Sequence, residues 1–470
     1  MPKLDRQCPV CGVSSSMACA SCQTVHYCSR DHQKQHWKKH KPACKAWRVE
    51  TTPEEGRFMV ATRTIQPGDI ILQEPPLIVG PKQATGPVCL GCHRPLTYDT
   101  AQGQLTPPAV RCPKCGWSLC RPDCSRWHSR DECLLWSRAR RPFDLRPAAS
   151  GASPVYGCVG PVRCLLLRNQ PEAWASLSSM EHHLEEAVRI GSAKARAVYA
   201  GGLPAEHDCR PNTRHLFDDG YNITVRATVR IAAGQRITTS YTQALWNTAA
   251  RRQHLLFSKC FRCRCERCLD PTELNTWLSS LSCRGCGGPL VSTEPLEAAA
   301  AWRCHRCGKK SSAEEVQERR GSMAQLTKTA ERSVEGLEDV LTQLDPSCSQ
   351  RAEVNYALVQ LYGTASGYTW PELTEKQLER KEQLCRQLLL LADALTPGQT
   401  RFRGVLTLEL CRTQRHLSVK TRSPDTVRWK EIATLLEEAS TILFCEPGWL
   451  EELAREERQL KKDITRLVAP

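Results

Sequence analysis

Apolar and polar positions alternate from residue 223 to residue 231. Ile223, Val225, Ala227, Val229 and Ile231 are separated by Thr224, Arg226, Thr228 and Arg230. This period of two predicts a strand with one buried face. Residues 60–65 and 70–73 predict two more short strands around the turn Pro67-Gly68. The two regions echo each other. Ala61, Thr62, Ile65, Gly68 and Ile71 recur in register as Ala227, Thr228, Ile231, Gly234 and Ile237. Each copy predicts strand, tight turn, strand. From residue 314 the period lengthens. Leu378, Cys385, Leu388, Ala392 and Leu395 recur at helical spacing, as do Val427, Ile432, Leu435, Ala439 and Ile442. Pro397-Gly398, Pro424 and Pro447-Gly448 punctuate this part, which predicts five or six antiparallel helices. Residues 180–188 predict a further helix carrying His182, His183, Glu185 and Glu186. No third ligand converges on that group in sequence, so it reads as a solvated face.

The 28 cysteines among 470 residues change the picture. Repeated Cys-x2-Cys pairs without a leader pattern point to metal rather than disulfides, and to a protein inside the cell. Eight ligands fall between residues 8 and 44: Cys8, Cys11, Cys19, Cys22, Cys28, His32, His40 and Cys44. Eight more fall between residues 89 and 133: Cys89, Cys92, Cys112, Cys115, Cys120, Cys124, His128 and Cys133. Each set makes two tetrahedral sites, and the metal supplies much of the folding energy of so short a segment. Cys263, Cys265 and Cys268 give three thiolates, and the nearest upstream cysteine, Cys209, is the candidate fourth. Cys283, Cys286, Cys304 and Cys307, with Gly285, Gly287 and Gly288, spell a zinc ribbon. Six zinc ions follow. His26, His36, His93 and Cys158 lie outside these patterns and read as surface or structural residues. Lone Cys348, Cys385, Cys411 and Cys445 read as core.

The formal charge of +15 invites a nucleic-acid reading. Twenty-one bound thiolates and six divalent ions would lower it to about +6, which is ordinary for this length. Lys34, Lys38, Lys39, Lys41 and Lys45 remain as a local patch, with Trp37 as the nearby stacking ring. Nucleic acid is therefore a weakly supported partner. No apolar run reaches membrane-spanning length, so no membrane partner is expected.

Three motifs together carry a resemblance: Glu206-His207-Asp208-Cys209-Arg210-Pro211-Asn212, then Ile237-Thr238-Thr239-Ser240-Tyr241, then Cys263-Arg264-Cys265-Glu266-Arg267-Cys268. They resemble the SET domain of protein lysine methyltransferases. The two eight-ligand clusters resemble MYND fingers. The whole resembles the SET-and-MYND (SMYD) family and its arthropod SmydA branch. The resemblance implies an α+β multidomain fold: a β-rich SET domain split by an inserted MYND finger, an N-terminal MYND finger, a post-SET zinc site, a zinc ribbon and a C-terminal tetratricopeptide-like helical domain. The implied boundaries are 1–48 first finger, 49–88 first SET part, 89–133 second finger, 134–198 helical insert, 199–258 SET core, 259–270 post-SET site, 271–312 ribbon and 313–470 helical domain. It also implies that Cys8, Cys11, Cys28 and His32 hold one ion and Cys19, Cys22, His40 and Cys44 another. Cys209 would complete the post-SET site.

By the same resemblance Tyr241 is the catalytic tyrosine. Arg57 and Met59 lie along S-adenosylmethionine, His207 braces the knot beside it, and Phe261 stacks on the adenine. Four positions in three motifs depart from the family pattern. Glu206 stands for an asparagine, Phe58 for a glycine, and Gln235-Arg236 for two glutamates. An Asn-bearing block before residue 199 also lacks a counterpart in the sequence. Two functions follow. The first is a protein lysine methyltransferase acting on histone or other protein substrates, with weak or lost activity. The second is an inactive zinc-rich adaptor or transcriptional repressor that binds partner proteins through its fingers and helical domain. A cytoplasmic or nuclear monomer suits both.

Overall fold

A computed structural model describes residues 7–15, 17, 19, 25–41, 44, 46–53, 56–81, 85–126, 128, 130–139, 144–148, 153–178, 198–199, 206–218 and 220–467. Cys22, Lys45 and the predicted helix at 180–188 lie outside the described residues. The chain forms two compact units. One comprises residues 1–72, 204–216 and 224–470, and the other 73–203 and 217–223.

In the first unit a four-stranded sheet orders Trp47–Thr52, Gly56–Ala61, Arg236–Thr239 and Glu206–His207. Strand Gly56–Ala61 is central, and Phe58, Met59, Val60 and Ala61 are all buried. A run of four apolar residues suits a strand covered on both faces. Val60 pairs with Arg236, Met59 with Ile237, and Glu206 runs parallel to Thr238. A second sheet orders Thr213–Phe217, Ile223–Ala227 and Ile70–Glu74. Ile223, Val225 and Ala227 are buried while Thr224 and Arg226 are not, as the alternation predicts.

The strand predicted to run to Ile231 stops at Ala227. Thr228 turns its backbone to other partners: its N–H donates to the Asn212 carbonyl at 2.9 Å, and its carbonyl accepts from Gln399 N–H at 2.8 Å. Ile231 rejoins the ladder as an isolated bridge to Ile65. The Asn212 side chain substitutes for a strand neighbour. Its Nδ2 donates to the Arg236 carbonyl at 2.7 Å and its Oδ1 accepts from Thr238 N–H at 2.8 Å.

Four short strands, Leu281–Ser282, Pro289–Ser292, Trp302–Cys304 and Lys310–Ser311, form the antiparallel ribbon. Beyond it the described residues hold seven helices rather than five or six: Ala313–Thr329, Val334–Gln343, Ser349–Leu361, Glu375–Leu395, Arg401–Lys420, Thr426–Leu443 and Trp449–Leu467. The first of these is largely polar along its length, so it lacks the stripe that reveals a helix in sequence. Leu378, Cys385, Leu388, Ala392 and Leu395 are fully buried, as predicted. Val427 is 73% exposed because it sits in the first helical turn, directly after the Asp425 cap. Cys348, Cys385 and Cys411 are core residues, and Cys445 is half-buried.

The second unit centres on Leu90, Trp117, Leu119 and Tyr156. The Tyr156 hydroxyl donates to the Val88 carbonyl at 2.9 Å and accepts from Val88 N–H at 3.0 Å. Arg163 reaches the Leu90 carbonyl at 3.0 Å and the buried Glu132 carboxylate at 2.9 Å. Helices Arg130–Arg138, Val159–Leu166 and Pro171–Ser178 complete the unit, with strands Pro76–Ile78 and Val198–Tyr199 paired antiparallel.

Candidate functional site

Five Cys-x2-Cys pairs among the described residues sit on the same backbone turn. The N–H of the residue after the second cysteine donates to the carbonyl of the first: Gly12 to Cys8, His93 to Cys89, Gly116 to Cys112, Gly287 to Cys283 and Gly308 to Cys304, at 2.8–3.0 Å. Each of these five donors has a positive φ. Four are glycine, which adopts that conformation without strain. The fifth is His93 at φ 57°, held by Arg163 Nη1 at 3.0 Å from its Nε2. Burial and that guanidinium pull its pKa down to about 4. His93 is a structural residue, as predicted.

The turns aim the ligands at common points. Cys8, Cys11, Cys28 and His32 form one group, Cys89, Cys92, Cys120 and Cys124 a second, and Cys112, Cys115, His128 and Cys133 a third. Cys209, Cys263, Cys265 and Cys268 form a fourth, and Cys283, Cys286, Cys304 and Cys307 a fifth. Within each group the ligand atoms lie within 4.8 Å of one another. Cys19 and Cys44 bring their sulfurs to 3.8 Å, and His40 is buried. Their fourth predicted partner, Cys22, lies outside the described residues.

The donor sets fit zinc. Both ring nitrogens of His128 are buried without a hydrogen-bond partner, as a ligand awaiting a metal would be. In the Cys209 group the sulfurs compete for charge. Hydrogen bonds from Cys209 and Cys263 bring Cys265 down to about 6, while Cys263 is driven up by the other three sulfurs. Four thiolates this close require a cation between them. Zinc there would tie Cys209 to a segment more than fifty residues away in sequence.

This fourth group is wired to Tyr241. His207 Nδ1 accepts the Tyr241 backbone N–H at 3.0 Å. Its other nitrogen therefore carries the proton and donates to Cys209 Sγ at 3.3 Å. Burial holds the His207 pKa down to about 4, so the ring is neutral at pH 7. The His207 ring lies 5.3 Å from Tyr241 and 5.8 Å from Phe261, and Lys259 Nζ sits 4.5 Å over the Tyr241 ring. Three predicted site residues thus gather in one place. Lys259 had no signal in sequence.

The cofactor edge is built differently. Arg57 is exposed, and Met59 is fully buried, so any role of Met59 beside a cofactor falls to its backbone. Three of the departing residues, Glu206, Arg236 and Phe58, come together. Arg236 Nη1 donates to both Glu206 oxygens, at 3.0 and 2.9 Å. Its guanidinium lies 4.2 Å over the ring of Phe58, which is buried. Glu206 and Arg236 remain 30% and 39% exposed. On one side of the site the rings of Tyr241, His207 and Phe261 gather, and at the strand edge Arg236 occupies the space between Glu206 and Phe58.

Residues 8–44 match the MYND finger family, and residues 56–242 match the SET domain family. The chain is 30% identical over 312 residues to the SET domain-containing protein SmydA-8, isoform B, of Drosophila melanogaster, covering 57% of this chain and 68% of that protein. It is 28% identical to isoform A of the same protein, covering 56% and 64%. The chain thus spans about two thirds of the length of these relatives. It is 23% identical to the histone-lysine N-methyltransferase SMYD3 of Mus musculus, covering 46% of this chain and 60% of that protein. With a MYND finger, a SET domain and these relatives, the chain belongs to the family of SET- and MYND-domain proteins.

Proposed function

We propose that this chain is a protein lysine methyltransferase of the SET-and-MYND class, within the arthropod SmydA branch, that acts on protein substrates and holds its methyl donor weakly. The observation that carries the class is the placement of Tyr241, fixed by His207 beside Phe261. S-adenosylmethionine supplies a sulfonium methyl group in this chemistry. The rest of the work is positioning: an uncharged lysine amine must approach in line. Tyr241 offers a phenol to orient that amine. Its backbone is pinned to His207, and His207 to Cys209, so loading of the Cys209 site and the aim of Tyr241 belong to one structure. The Lys259 ammonium over the same ring opposes a second positive charge, which favours the neutral form of an incoming amine.

The weak hold on the donor rests on the Glu206–Arg236–Phe58 stack, which a cofactor along that edge must displace. The same stack favours a second reading, a catalytically silent adaptor or repressor. In that reading the fingers and a tetratricopeptide-like helical domain bind partner proteins in the cytoplasm or nucleus. Calorimetry with S-adenosylmethionine separates the two, followed by methyl transfer to histones and peptide pools. Weak binding with turnover that Tyr241→Phe abolishes supports the methyltransferase. An intact, zinc-loaded chain with no measurable binding and no turnover supports the adaptor.

A further inference from the structure

Three charged side chains with no solvent exposure stand against the Cys209 metal group: Arg251, Arg267 and Glu273. Glu273 Oε2 accepts from Arg251 Nη1 at 2.6 Å and from Arg267 Nε at 2.8 Å. Its Oε1 accepts from the Thr248 N–H at 3.0 Å and the Thr248 hydroxyl at 2.9 Å, and from the Ser279 hydroxyl. The carboxylate is therefore saturated and fixed. The two arginines point from it toward the cysteines. Arg251 Nη2 donates to Cys268 Sγ at 3.5 Å, and Arg267 Nη1 donates to the Cys209 carbonyl at 3.2 Å. Arg251 Nε is buried with no hydrogen-bond partner.

Buried charge must be balanced. Two guanidinium groups and one carboxylate leave one net positive charge in a dry space, which nothing within the triad cancels. Four cysteine thiolates around a divalent cation carry two net negative charges. Each side lacks what the other supplies. A purely structural ion pair needs one arginine and one glutamate, and the second arginine is in excess unless an anion lies beside it.

We propose that Arg251 and Arg267, held by Glu273, are positioning residues for this metal site: they supply the counter-charge and a sulfur-directed N–H donor that set how tightly it holds a divalent cation. The proposal rests on the reading that Cys209, Cys263, Cys265 and Cys268 bind metal. Residues behind metal ligands typically change affinity by about ten- to a hundred-fold when removed. The opposite signs of the triad members give a prediction that a packing role does not share. Arg251→Met should weaken retention. Arg251→Lys, which keeps the charge, should recover part of it. Glu273→Gln keeps the shape but removes a negative charge, and should hold the metal as tightly or more tightly even though the fold is less stable.

The experiment uses the full chain. Zinc content is followed through a chelator titration, and the cobalt-substituted protein gives the sulfur-to-metal absorption bands. Cys209→Ala identifies which ion and which bands belong to this site, and the other cysteine groups serve as internal controls. If Cys209→Ala loses no metal, the metal reading itself fails. If Cys209→Ala loses one ion while Arg251→Met keeps it with unchanged affinity, the metal reading stands and the role of the arginines is overturned. If Glu273→Gln loses the metal as Arg251→Met does, the triad is only structural. The expected result is one ion lost about ten-fold more easily in Arg251→Met, with unaltered retention at the other groups and no such loss in Glu273→Gln.

Discussion

Ile65 and Ile231 exchange a reciprocal pair of backbone hydrogen bonds, each N–H to the other's carbonyl, at 2.9 and 3.0 Å. They occupy the same position in the two echoing stretches, and the pairing extends outward symmetrically. Ala61 N–H donates to the Gln235 carbonyl as Ala227 N–H donates to Asp69, and Gly234 N–H donates to the Ala61 carbonyl as Gly68 N–H donates to Ala227. The internal repeat is thus realised as two strand–turn–strand units clasping each other around a local two-fold.

Two glycines at this clasp, one in its turn and one docked against it, set up a first prediction. Gly234 has φ 83° and open space where a Cβ would go, so Gly234→Ala should cost only the backbone strain, about 1 kcal/mol. Gly398 has φ 78°, and a Cβ there would land on the Thr228 carbonyl, where the loop before helix Arg401–Lys420 docks. Gly398→Ala should therefore cost about 3 kcal/mol or more, because backbone meets backbone and neither yields cheaply. Urea unfolding of the two variants checks the order, and equal losses would contradict it.

Much of the fold was legible for physical reasons that particular residues show. Cys-x2-Cys spacing marks the ligands, so the clusters could be read from the sequence, while the division of Cys89 to Cys133 between two sites needed the fold. Cys209 was reachable because three thiolates need a fourth. Strand Ile223–Ala227 was visible because one face is wet. What remained hidden depended on contacts distant in sequence. Arg251 lies on the buried stripe Thr248, Arg251, Leu255 of helix Thr248–Lys259, a position where an apolar residue is expected. Its reason for being there, Glu273 and the sulfurs, cannot be seen from the helix alone. Likewise Glu206, Phe58 and Arg236 read separately as three losses of a cofactor contact, and only the sheet register shows them as one stack.

Metal content gives a second prediction. Elemental analysis of the folded chain should find about six zinc ions. Cys209→Ala should lower this by one and destabilise the SET region. Both fingers should stay protected in hydrogen exchange, because their ligands are local to them. Two or fewer ions in the intact protein, or disulfides mapped across the Cys-x2-Cys pairs, would refute the assignment.

A third prediction concerns acid. His416 stacks on Trp370 at 4.7 Å and accepts from Arg415 Nη2 at 3.0 Å, while Lys381 Nζ lies 4.0 Å over the same Trp370 ring. Burial first, then the charges of Arg415, Lys381, Arg412 and Lys420, hold its pKa down to about 3. The folded protein keeps this ring neutral while the unfolded chain takes up a proton below about pH 6.5. Stability contributed here is therefore present above about pH 6.5 and lost as pH falls toward 3, at up to about 1.4 kcal/mol per pH unit. His416→Phe, which keeps a ring against Trp370, should flatten that slope between pH 6.5 and 4 in denaturant titrations. An unchanged slope would place the acid sensitivity elsewhere.

The last prediction turns on Arg236. Its Nη1, shared between both Glu206 oxygens, is partly exposed, so the pair itself contributes modestly, about 1 kcal/mol or less. The cation over the Phe58 ring adds about 0.5–1 kcal/mol. A cofactor entering along strand Gly56–Ala61 must displace both contacts, lose an amide donor at position 206 and pass a phenyl ring in place of a hydrogen. An unmade polar contact and an overpacked site each cost about 1–3 kcal/mol. Together these terms predict cofactor affinity weakened by roughly a hundred-fold or more relative to a site carrying asparagine, glycine and glutamate at these positions. Arg236→Glu alone should not help, because it sets two carboxylates against each other at positions 206 and 236. Glu206→Asn with Phe58→Gly should help only in part, since Arg236 then loses both of its partners and is free to fill the edge. The triple replacement Phe58→Gly, Glu206→Asn, Arg236→Glu should give the full gain. Calorimetry with S-adenosylmethionine on all three variants reads the order directly. A gain from the double variant that the third change does not enlarge would show that Arg236 is a bystander.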